Sequence, residues 1–123
     1  MRCMFAIFFA ALVISSPASA QNFDGRYEGN LLLTRDGGEC GNKSEKFQAE
    51  VRGKIVRITS ARMERPLEGE IRADGQLFVS GAGRGNAALE WRAQILSTKS
   101  GLGSLLLRRG DNICQFLLSL KRV

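Results

Sequence analysis

The chain of 123 residues has no histidine, one tyrosine, one tryptophan, two prolines and three cysteines. Without histidine there is no Ser-His-Asp or Cys-His machinery, no imidazole general base and none of the common histidine metal ligands. Sparse proline leaves the backbone donors of any β-ladder intact. Aromatic residues make up 7% of the chain, too few for stacking platforms interleaved with basic residues, which argues against nucleic acid as a partner. Charge is not extreme either: +6 net, with acids spread among the bases, favours anionic surfaces only weakly. The length provides for one domain with one modest core.

One hydrophobic run is present, at the start. Arg2 supplies a positive n-region, residues 4–14 are apolar, and Ala18-Ser19-Ala20 is a small-residue cleavage site after Pro17. That pattern reads as a secretory signal peptide over residues 1–20. The apolar run is too short to span roughly 30 Å of hydrocarbon. Residues 21–123 are then the mature domain, exported to a periplasmic or extracellular location, with no stable membrane insertion. Export gives Cys40 and Cys114 a meaning. Two cysteines in an oxidising compartment most simply pair. Such a bridge closes a loop of about 75 residues and stabilises by roughly 4–4.5 kcal/mol on the chain-entropy model.

Period-2 alternation runs through the mature chain, and no window carries a helical stripe. Phe47, Ala49 and Val51 alternate with Gln48, Glu50 and Arg52; Leu89, Trp91, Ala93 and Ile95 alternate with Glu90, Arg92 and Gln94. The spacing predicts strands at 23–33, 46–52, 54–60, 67–73, 76–80, 88–98, 102–108 and 113–122, each with a dry and a wet face. Tight turns at Gly53, Asp74-Gly75 and Lys99-Ser100-Gly101 alternate with longer connections at 34–45, 61–66, 81–87 and 109–112. Alternate connections of a meander lie at opposite ends, so the longer loops gather at one end and the tight turns at the other. Cys40 and Cys114 both fall at the longer-loop end. The expectation is an all-β, antiparallel up-and-down barrel of about eight strands, with a two-sheet β-sandwich as the alternative.

Several local patterns have bland readings that outweigh the sharp ones. Glu68 and Glu70 share a strand face, but nothing apolar nearby raises the pKa of one as a glycosidase pair requires. The glycine-rich residues 81–86 precede no helix, so they make a loop between strands rather than a phosphate cradle. Asp36-Gly37-Gly38-Glu39 lacks the alternating ligands of a calcium loop. No cofactor or metal is implied.

At residues 23–29, Phe-Asp-Gly-Arg-Tyr-Glu-Gly, the chain resembles the opening strand of calycin barrels, the lipocalin and avidin group. Those carry Gly-x-Trp early in the first strand and a basic residue on the last strand that packs across it. Gly25 and Tyr27 match the motif, with tyrosine in place of tryptophan. The resemblance implies structural roles for both, and Lys121 or Arg122 as the basic partner through a cation–π contact. Small exported bacterial metalloprotease inhibitors are similar in architecture alone, as barrels of about this size with one disulfide. Their inhibitory N-terminal trunk has no counterpart here, where only Gln21 and Asn22 precede the first strand.

These readings lead to a non-catalytic binding protein. The main expectation is a small apolar or amphipathic ligand, or an envelope component, bound at the longer-loop end. The alternative is a protein–protein module, such as an inhibitor of an exported enzyme. An open interior favours the first; a packed interior with exposed apolar surface favours the second. Within the longer-loop end, Arg62, Met63, Arg65 and Arg84 are the candidate contact residues. Met63 has a competing role as a plug folded over the barrel mouth.

Overall fold

The alternating segments form eight antiparallel strands in a computed structural model of the protein, which describes residues 22–123. They are β1 (Gly25–Arg35), β2 (Ser44–Arg52), β3 (Ile55–Ser60), β4 (Leu67–Ile71), β5 (Gln76–Ala82), β6 (Ala88–Ile95), β7 (Ser100–Arg109) and β8 (Asn112–Arg122). Each strand pairs with the next, and β8 returns to β1, closing an up-and-down barrel. The β1–β8 ladder runs from Tyr27↔Arg122 to Leu33↔Phe116 and continues past a bulge to Arg35↔Gln115. That ladder decides against the sandwich, because it leaves no free sheet edge. The signal-peptide reading concerns residues outside those described.

The strands begin and end within a few residues of the predicted limits. One connection differs in kind: residues 109–112 form a two-residue turn, since β7 and β8 stay paired to Arg109↔Asn112. Gly110, with φ +60°, supplies the left-handed geometry that such a turn demands. The same end carries the three longer loops, 36–43, 61–66 and 83–87. Cys40 on the first of these is bonded to Cys114 on β8, with Cα atoms 5.8 Å apart. The predicted bridge is therefore present, tying a loop to the wall.

Inward side chains of all eight strands meet in one buried cluster. Trp91, fully buried, sits across the ladders from Val79 and Leu105, with the Phe47 ring tilted against it at 5.2 Å. Glycine at inward positions makes room for the Phe47 ring and for the close approach of β6 to β7. A Cβ at Gly29 would stand 2.2 Å from the Phe47 ring, and one at Gly103 would stand 1.9 Å from the Arg92 carbonyl. Alternating small and large residues in this way fills a narrow eight-stranded barrel.

Candidate functional site

At the loop-rich end the barrel is stoppered by charge. Glu45 occupies the inward phase of β2, in register with Leu31, where apolar residues would continue the pattern. Arg62, just beyond β3, reaches across to it. Their Nε and Oε2 atoms stand 2.7 Å apart with side chains only 8% and 12% exposed. The pair is off the line a hydrogen bond needs, so charge attraction at contact distance holds it. The other guanidinium nitrogens of Arg62 donate to the carbonyls of Cys40 at 2.7 Å and Asn42 at 3.0 Å. Its plane lies 4.2 Å over the Phe116 ring. One side chain thus closes the mouth, braces the disulfide loop and covers a core aromatic.

Two further arginines lace the loops together. Arg109 donates to the carbonyls of Glu39, Arg84 and Gly85, each at 3.2 Å, joining loop 36–43 to loop 83–87. Arg84 donates from Nε to the Ala61 carbonyl at 3.0 Å and lies 3.8 Å from Glu64, joining loop 83–87 to loop 61–66. Carbonyls that would otherwise need water are satisfied, and the loops become a fixed platform. The hollow between them measures about 320 Å³ and is lined in part by Arg62, Arg84 and Arg109.

The opposite end is closed differently. Tyr27 is buried and its hydroxyl donates to the Phe23 carbonyl at 2.7 Å. Burial pushes the phenol pKa up, Arg122 opposes that, and Asp24 adds to it. Arg122 sits opposite Tyr27 in register, with its guanidinium so near Gly25 that a Cβ there would be 2.8 Å from Nε. Lys99 covers the Phe23 ring at 5.0 Å and donates to the Asn22 carbonyl. Cation–π contacts in the described residues join Arg62 to Phe116, Arg92 to Phe78 and Lys99 to Phe23. The expected stacking of Lys121 or Arg122 on Tyr27 is not among them, because Lys121 faces outward with Glu28 and Arg122 lies over Gly25.

The four candidate contact residues therefore divide. Arg65 and Arg84 are exposed on the loop surface. Arg62 is committed to Glu45 and the carbonyls of loop 36–43, and Met63 is 4% exposed, packed into the core cluster. Met63 takes the plug role because its flexible thioether fills the gap beneath loop 61–66. Glu45 and Arg109 escaped the sequence reading. The available signal was phase: each is a charged residue at an inward position of its strand. The carboxylates of Glu68 and Glu70 point outward from β4 and are exposed. No group of three or more potential metal ligands occurs among the described residues, and no helix there is long and apolar enough to cross a membrane. Compared with protein-family models, curated proteins and solved structures, the chain matches none of them.

Proposed function

We propose that the chain is an exported, non-catalytic binding module that engages another protein with its outer surface, rather than a carrier of a small apolar ligand. The filled lumen carries this reading. A ligand inside would have to displace Trp91, Phe47 or Phe116, each at most 3% exposed, and part the Arg62–Glu45 stopper. The loop-rich end is the contact surface: Arg65 and Arg84 stand exposed there on loops fixed by the disulfide and the arginine lacing. Loops already ordered lose little entropy on binding. Export to the periplasm or the extracellular space is supported by the disulfide, since such bonds persist in oxidising compartments. Gly25 and Tyr27, early on β1 of a closed eight-stranded barrel, support kinship with calycin barrels; the basic-residue contact on Tyr27 that the motif carries is not formed among the described residues.

The test begins with crosslinking of the native protein in envelope extract. Changing Arg65, which takes no part in the arginine lacing, to Glu should abolish the specific crosslink while Trp91 fluorescence stays that of the folded barrel. A small apolar molecule released in equimolar amount from the purified protein would overturn the reading. So would quenching of Trp91 by an apolar dye that enters the native barrel.

A further inference from the structure

Most of the outer wall is charged, but the strip where β7, β8 and β1 adjoin is not. Outward residues across the β1–β8 seam pair in register as Asn30↔Ser119 and Leu32↔Leu117, with Leu102 and Ser104 of β7 flanking them. Leu32, Leu102 and Leu117 are 54%, 64% and 49% exposed. With strands about 4.8 Å apart and same-face residues about 6.8 Å apart, this uncharged block of six positions covers roughly 200 Å². At its lower margin Glu28 stands opposite Lys121, and neither belongs to any ion pair among the described residues.

We infer that this face is the interface of a two-fold dimer of the chain, with the axis running along the β1–β8 seam. Rotation about that line exchanges β1 and β8 and keeps each row level. Leu32 then meets Leu117 of the second copy, Asn30 meets Ser119, and Glu28 meets Lys121, each contact occurring twice. Farther out Ser44, in register with Leu32, meets Ser104, and the stem of Lys46 crosses Leu102. No like charges oppose one another in these rows. The face is its own complement, as an isologous interface requires. An uncharged centre with a charged rim is also the usual anatomy of such surfaces. The uncharged block is well below the roughly 800 Å² per partner of a standard interface, so the dimer is weak, with a dissociation constant of roughly 0.1–1 mM. A seam axis leaves both loop-rich ends on the same side, so dimerisation makes the proposed module bivalent. The dimer itself does not depend on that function.

Sedimentation of the purified chain over a concentration series should show reversible passage from monomer to dimer. Leu117→Lys should abolish it. Glu28→Lys and Lys121→Glu should each weaken self-association about ten-fold or more, since each sets like charges against one another twice. An equimolar mixture of those two single variants should re-form a heterodimer at least as readily as the parent chain, with the fold of each verified by Trp91 fluorescence. A parent chain that stays monomeric to about 1 mM would overturn the inference. Failure of the charge-reversed chains to find each other in the mixture would do the same.

Discussion

Replacing Arg62 with methionine keeps its aliphatic stem and removes its charge. The loss falls on three kinds of contact at once. Two charge-assisted hydrogen bonds to the Cys40 and Asn42 carbonyls disappear, as does the cation–π contact with Phe116. The third loss is the largest, because Glu45 is left as a carboxylate only 12% exposed with no cation beside it. Stranding one member of a buried pair costs about 3–5 kcal/mol. Water can reach loop 36–43 once it is released, so we expect about 3 kcal/mol overall. For a domain of this size that is a fall in melting temperature of roughly 12–24 °C. The single, fully buried Trp91 reports urea unfolding directly, and the midpoint should move with little change in slope. Combining Arg62→Met with Glu45→Leu should recover at least about 1.5 kcal/mol, because an apolar pair of similar volume needs no charge partner. The contrast is the Arg26–Glu50 pair, 3.9 Å apart with side chains 82% and 40% exposed, whose removal should change stability by less than about 0.5 kcal/mol. If Arg62→Met costs less than about 1 kcal/mol, or adds to Glu45→Leu without coupling, the stopper is not what holds this end.

Tyr27 predicts an alkaline limit. Its pKa lies above the ordinary 10.0 in the folded state, so the native chain keeps a proton that the unfolded chain gives up; the associated stability is complete below pH 10 and declines as pH rises through the raised value. Because it is the only tyrosine, tyrosinate absorbance reads this titration directly, and Tyr27→Phe should flatten the decline while costing about 1 kcal/mol at neutral pH through the lost bond to the Phe23 carbonyl. Changing Cys40 and Cys114 together to alanine should lower stability by about 4 kcal/mol, and non-reducing peptide mapping of the parent should yield one linked pair and no alkylatable thiol. The β4–β5 ladder registers only Glu70↔Phe78 and Ile71↔Leu77, whereas β5–β6 is paired from Gln76 to Ala82. Native-state amide exchange should therefore be fastest in β4 among the strands; uniform protection around the barrel would contradict this.

Alternation, turn chemistry and cysteine arithmetic were enough to specify an eight-stranded antiparallel meander, because each acts locally or through one pairing; its closure, which excludes the sandwich, came only with the β1–β8 ladder. Phe47-Ala49-Val51 can only face a core as a strand, Asp74-Gly75 can only reverse it tightly, and two cysteines at one end of a meander draw its last strand toward the loop after its first. The Gly110 turn was legible in residue type but not in length, since only the continued β7–β8 ladder shows how far pairing persists. What the chain does with its arginines was not legible. Arg62 and Arg84 read alike in sequence, as basic loop residues, yet one is sealed against Glu45 and the other lies on the surface between the Ala61 carbonyl and Glu64. The difference lies in which strand each loop meets across the barrel mouth. Glu45 and Arg109 carried a faint sign of their roles in their inward phase, but phase alone does not say whether a charge finds a partner or lies in solvent. The match of Glu28 to Lys121 and Leu32 to Leu117 depends on the register of the first strand with the last. Residues that far apart acquire a common face only when the barrel closes.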